Sequence, residues 1–208
     1  MDENAFGYNP VLPRNIRAIF MWLCQEVASL HSKWQFYLGL YAGEEDRRLL
    51  SELASGSFGI IEESLRLDMT MSICRLSDPP GTEPKLNLSV KALARKCQEV
   101  DGLTDLVDDF AQACKPVRKH RNKLLAHRDV NTTINPQDNP LEPIGRTQID
   151  TILDLAGRIL NVVYRHFTNL ELTFAPSLIG GADTLVHWLG VAKESKDAGI
   201  AHGADRSI

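Results

Sequence analysis

The sequence predicts an all-α fold, a helical bundle of four long helices with additional short helices. Three observations carry that prediction. Apolar residues recur every three or four positions along long stretches, which is the period of a helix with one buried stripe. No stretch alternates apolar and polar residues with the period of two that a half-buried strand requires. Prolines and glycines gather in the breaks between the stripes.

The first stripe runs Ile16, Ile19, Phe20, Leu23, Val27, Leu30, Trp34, Leu38, Tyr41 and predicts a helix over 11–42, after a short N-terminal arm at 1–10. Gly43 breaks it. A second series from Leu49 to Leu76 predicts helix two, with Ser55-Gly56-Ser57 as a soft point because glycine costs about 1 kcal/mol inside a helix. Helix two must end at Asp78-Pro79-Pro80-Gly81-Thr82-Glu83-Pro84, whose prolines lack amide donors. A shorter amphipathic piece spans 88–100, capped by Asn87 or Ser89 and stopped by Asp101-Gly102. The stripe Leu103, Val107, Phe110, Cys114, Val117 then continues to Arg121 and Leu124, with a kink or restart expected at Pro116. Residues 129–146, rich in Asn, Asp, Pro and Thr, read as a connection whose long loop occupies 131–146. Thr147 is the expected cap of a helix to about 170, striped by Ile152, Ala156, Ile159, Val163 and Phe167. A last helix over 182–195 leads to a polar tail, with residues 200–208 expected to be disordered. The organisation predicted is one helical domain over 11–199.

No segment approaches the roughly 20 apolar residues of a membrane span. The acidic start, Met1-Asp-Glu-Asn, lacks the layout of a secretory signal, so a soluble, cytoplasmic protein without membrane partners is expected. Cys24, Cys74, Cys97 and Cys114 are dispersed in apolar patterns, which predicts reduced thiols, no zinc site and no cofactor. The formal charge of −4 conceals a strong asymmetry. Residues 115–128 hold Lys115, Arg118, Lys119, Arg121, Lys123 and Arg128 with no acid among them. Setting those six aside leaves 17 basic residues against 27 acidic ones elsewhere. One basic island in an acidic chain is the footprint of a local anion-binding surface.

On a helix Arg121 falls one turn after Val117 and one turn before Leu125, and His127 falls three residues after Leu124. Both border the buried stripe. An arginine there needs an ion pair or a packed interface that uses it. A structural reading pairs Arg121 with one of the many acids and leaves His127 at a helix end favoured by the macrodipole.

The string Arg-Asn-Lys-Leu-Leu-Ala-His-Arg-Asp at 121–129 resembles the signature of the higher-eukaryote and prokaryote nucleotide-binding (HEPN) superfamily. There an arginine, usually followed by a polar residue, precedes a histidine by four to six intervening residues near the end of a bundle helix. Here five residues intervene and Asn122 is the polar one. Trp34, the Arg75-Leu-Ser-Asp78 helix ending with its Pro/Gly loop, the Asn87-Leu-Ser element and the run Lys119-His-Arg-Asn-Lys123 resemble the abortive-infection (AbiU-like) branch. The likeness covers roughly residues 15–170.

The resemblance implies a metal-independent endoribonuclease of a bacterial defence or toxin-antitoxin type. Its chemistry suits these side chains. Cleavage by the RNA's own 2′-hydroxyl needs a base, an acid and a cation for the charged phosphorane. By resemblance His127 is the acid/base, Arg121 the phosphate clamp, and Asn122 a hydrogen-bonding partner of substrate or histidine. Lys119, Lys123, Arg128 and His120 would attract phosphates, and Asp129 would orient His127. Six residues on an α-helix mean about 120° around and about 9 Å along, so one Arg121/His127 pair converges poorly on one phosphate. The family's homodimers resolve this, since a two-fold axis between motif helices makes a composite cleft. The partners expected are therefore RNA and a second copy of the chain, with an antitoxin or regulatory protein as a further candidate.

Two other readings stay open: a non-catalytic module that binds RNA, nucleotide or a partner protein, and a purely structural helical dimer. Other residues carry less. His120, Cys114 and Asp129 lie near His127 in sequence, but no familiar zinc spacing is present, so no metal is expected. His31, His166 and His187 read as structural. Arg75 and Asp78, three apart, read as a local ion pair. There is no glycine-rich phosphate loop, and Gly180-Gly181 lacks the required context.

Overall fold

A helix begins where its first amides find an acceptor. The Pro13 carbonyl accepts from Ile16 and Arg17, and the Arg17 side chain returns to the Leu12 carbonyl at 2.7 Å. That fixes the start of α1 (Arg14–Tyr41) three residues later than the stripe alone suggests. We describe it from a computed structural model, which describes residues 11–82, 85–126, 141, 143–174 and 180–199. The arm at 1–10, most of the loop at 131–146 and the tail at 200–208 lie outside the described residues.

Glu44, Glu45 and Asp46 occupy the first turn of α2 (Glu44–Leu76), where negative charge complements the helix dipole. The soft point takes physical form at Ala54, whose φ of −161° and ψ of 63° kink α2 directly before Ser55-Gly56-Ser57. After α2 the proline corner forms a two-rung antiparallel ladder, β1 (Gly81–Thr82) with β2 (Lys85–Leu86). The sequence predicts no strand; two residues per strand are too few to show an alternation. Gly81 is obligatory there, because φ is +74° and a Cβ would meet the Lys85 carbonyl oxygen at 2.3 Å.

Ser89, not Asn87, caps α3 (Val90–Lys96), its Oγ accepting from the Ala92 amide at 3.3 Å. Asn87 is tied instead to the Pro79 carbonyl at 2.8 Å. Gly102, at φ +72°, turns the chain into α4 (Leu103–Ala113). Pro116 sits in the first turn of α5 (Lys115–His120), a restart rather than a kink. The backbone then widens into a π-helical turn, π1 (Arg121–Ala126). The last two elements are α6 (Arg146–Thr168) and α7 (Ala182–Asp197). The expected cap Thr147 lies inside α6; Gly145 precedes the helix with no side-chain cap, and the Thr147 carbonyl accepts from Thr151 Oγ1 at 2.8 Å. Asn169, at φ 59°, closes α6. The fold is all-α, and among the described residues the four long helices are α1, α2, α6 and α7.

The chain divides into two compact units, residues 1–31 with 68–175, and residues 32–67 with 176–208. In the first, α4 packs on α6 and on α3, and Phe20, Leu23, Ile73, Leu93, Phe110, Ile159 and Val163 are fully buried. Each such side chain contributes about 1.5–3 kcal/mol on leaving water. Phe20 and Tyr164 stack at 5.8 Å. In the second unit Leu40, Tyr41, Leu50 and Ala182 form a core flanked by Phe58, Leu65, Leu185 and Leu189. Here α1 meets α7 at Gly39, where a Cβ would lie 2.5 Å from Ala182 Cβ. Among the described residues no helix is long and apolar enough to cross a membrane.

Two predictions follow from this packing. Gly39→Ala should lower the unfolding free energy by about 1–3 kcal/mol through overpacking, whereas Gly59→Ala, with nothing within 4 Å of the new methyl, should raise it by about 0.5–1 kcal/mol. Urea titration of both variants checks the contrast, and equal signs would contradict the close helix contact. His31 stacks on Phe174 at 5.9 Å, and its Nε2 is buried without a hydrogen-bond partner. Burial lowers its pKa below the ordinary value, opposed by its hydrogen bond to the Leu153 backbone and by Asp154. The unfolded chain therefore takes up this proton first on acidification. The stability is present above pH about 6.5 and is lost as pH falls towards the folded value. The drop in Tm between neutral and mildly acidic buffer should be smaller in His31→Gln than in the parent.

Candidate functional site

The last turn of a helix leaves carbonyls without amide partners, and a proline corner cannot supply them. At the end of α2 they are met from α5. The Arg118 guanidinium donates to the Cys74 carbonyl at 3.1 Å, to Ser77 Oγ at 3.1 Å and to Asp78 Oδ1 at 2.7 Å. Ser77 Oγ also donates to the Cys74 carbonyl at 3.1 Å and lies within hydrogen-bond reach of the Cys114 thiol. Asp78 thus pairs with Arg118, not with Arg75 as its spacing suggests; Arg75 reaches Glu26 and Ser72 Oγ. The reason is position: Asp78 lies past the end of α2, where helical spacing no longer aligns it with Arg75, and within reach of Arg118 on α5.

This clamp sets the position of Arg121, three residues further along. Arg121 is half-buried at the first position of π1, and its charge bears on the buried Cys74 thiol. Its Nε is buried without a hydrogen-bond partner. Among the described residues no carboxylate pairs with it, because Asp78 is engaged by Arg118. Burial pushes the Cys74 thiol above the ordinary range against the opposing charges of Arg121 and Arg118. The Cys114 thiol, also buried, is pushed up to about 12. Both sulfurs are therefore neutral packing and hydrogen-bonding atoms at neutral pH. Beside a neutral sulfur and with no carboxylate partner among the described residues, the Arg121 guanidinium suits an anion such as a phosphate.

The other sequence-derived candidates fall as follows. Asn122 and Lys119 are exposed, and His120 and Lys123 are half-buried and engaged in interactions of their own. His127, Arg128 and Asp129 lie outside the described residues. Because residues 121–126 are π-helical, the angle and rise of a regular α-helix do not apply to that part of the Arg121-to-His127 interval. Among the described residues no three His, Cys, Asp or Glu side chains are grouped to hold a metal ion. Sequence reasoning missed Arg118, Ser77 and Cys74 as the site's framework. The signal was available for Arg118, which lies one turn before Arg121 and hence on its face.

A family model described as AbiU2, a HEPN family, matches residues 15–184. No curated protein and no solved structure matches the chain.

Replacing Arg118 by Ala should cost about 1–3 kcal/mol, since it strands several partly buried polar groups; Arg75→Ala, which breaks a half-exposed pair, should cost about 1 kcal/mol or less. Denaturant titration of the two variants decides it, and the reverse order of cost would refute the assignment of Arg118 as the clamp.

Proposed function

The chain belongs to the AbiU2 family of HEPN modules, and we propose that it is a metal-independent endoribonuclease of an abortive-infection or toxin-antitoxin defence system, acting on RNA in the cytoplasm. The observation that carries this reading is Arg121, half-buried, beside Cys74 and uncompensated by any carboxylate among the described residues. A merely structural arginine at that depth would take the acid. Here Arg118 takes it three residues earlier, and Arg121 is left for an anion.

In this reading Arg121 grips two non-bridging oxygens of the scissile phosphate. One His127 removes the proton of the 2′-hydroxyl, the 2′-oxygen bonds to phosphorus, and Arg121 offsets the charge of the phosphorane. The bond from phosphorus to the 5′-oxygen then breaks, and a second His127 donates the proton that the leaving oxygen takes up. The products are a 2′,3′-cyclic phosphate and a 5′-hydroxyl. The two histidines come from two chains, with the motif helices facing each other across a two-fold axis. Asn122, exposed beside Arg121, hydrogen-bonds the substrate, and Lys119, Lys123, Arg128 and His120 hold neighbouring phosphates. Asp129 fixes the tautomer of His127.

Purified dimer should cleave RNA with EDTA present, and Arg121→Ala or His127→Ala should each lower the rate by about 10²-fold or more. Expression should arrest growth, and His127→Ala should relieve the arrest. Calorimetric binding of RNA or nucleotide at Arg121 without turnover would assign the chain to a binding role instead. Variants indistinguishable from the parent except in thermal stability would leave only a structural helical dimer.

A further inference from the structure

The basic island at 115–128 has a counterpart. Residues 85–98 contain Lys85, Lys91, Arg95 and Lys96 and neither Asp nor Glu. The two runs together hold ten of the 23 basic residues, which leaves 13 against 27 acids in the rest of the chain. Both runs belong to the same compact unit.

The fold gives the second run a defined face. Val90, Leu93 and Cys97 are fully buried and set the inward side of α3. Lys91 and Arg95, four residues apart, then lie within about 40° of each other on another side. Arg95 is exposed and Lys91 half-buried. Among the described residues neither pairs with a carboxylate; Arg95 makes only a 3.4 Å contact to the Gly81 carbonyl. In a chain so rich in acid, two aligned cations without acidic partners form a surface open to a foreign anion. The helix that carries them is linked to the motif helix through α4. α3 packs on α4, α4 runs into α5 through Cys114, and the charge of Lys91 reaches the Cys114 thiol together with that of Arg118. In α5 the exposed Lys115 and Lys119, four residues apart, form a second aligned pair of cations.

We propose that Lys91 and Arg95 form a second phosphate-binding site, which takes backbone phosphates of the RNA strand flanking the phosphate held at Arg121. This rests on the ribonuclease reading above. The site is sequence-independent, since ammonium and guanidinium groups on one helix face read charge and not base edges. It serves to hold substrate and takes no part in the chemical step.

The test compares the parent with Lys91→Glu/Arg95→Glu and, to remove charge without adding repulsion, Lys91→Gln/Arg95→Gln, with melting curves to verify folding. The probes are a labelled single-stranded RNA oligonucleotide of mixed sequence and a dinucleotide that carries only the scissile phosphate. Affinity for the oligonucleotide, measured in the His127→Ala background with EDTA, should fall about tenfold or more, and the slope of log K against log salt should shrink by about 1.4 for two lost phosphate contacts. In the active protein KM for the oligonucleotide should rise with kcat unchanged, and dinucleotide cleavage should be unaltered. Oligonucleotide affinity and salt slope equal to the parent's, in a protein that cleaves RNA, would overturn this inference alone. A parent that neither binds nor cleaves RNA would overturn the ribonuclease reading and this site with it. Loss of poly-glutamate binding in both variants with RNA binding intact would give the face to an acidic protein and overturn the proposal.

Discussion

The end of α2 has more acceptors than its own backbone can satisfy, and one guanidinium meets them. Arg118 reaches a main-chain carbonyl, a serine hydroxyl and a carboxylate at once, so it locks the proline corner, the last turn of α2 and α5 into one arrangement. The residue proposed to hold the phosphate follows this structural one by a single turn. With Asp78 spoken for, Arg121 one turn later meets a neutral sulfur and keeps its charge available. Two arginines on one helix face thus divide two tasks, which residue type alone does not distinguish.

The same division shows how far the sequence could be read. Long stripes were legible because burial imposes their period: Ile16, Phe20, Leu23, Val27 and Leu30 are all fully buried on α1, as are Ile152, Ile159 and Val163 on α6. The family signature was legible because it is short and ordered, and the family match extends over 15–184. Features decided by partners distant in sequence were not. Asp78 has an arginine three residues before it and one forty residues after it, and only the fold selects the second. Thr147 has the right chemistry for a cap, yet α6 begins before it, at Arg146. Nor does any residue type announce a π turn. Arg-Asn-Lys-Leu-Leu-Ala reads as ordinary helix, yet the backbone widens there.

Electrostatics gives the acidic majority of the chain a role as well. In the ribonuclease proposed above, the 27 acids outside the two basic runs would repel a polyanion and leave those runs to receive it. On that proposal a nucleic acid would be guided by exclusion as much as by attraction, and a concentrated patch of modest total charge would suffice. Such guidance weakens with ionic strength, because it acts over distances comparable to the Debye length of about 8–10 Å.

The π-helical turn has one more residue between bonded groups than the α-turn it replaces. It can therefore act as slack in the chain. Deleting one residue within 122–126 would let the segment tighten to α-helical bonding, while Arg118 stayed anchored to α2. A motif that starts from such a turn tolerates a change of interval without losing its anchor. The number of residues between an arginine and a histidine is then a poor ruler of the distance between them.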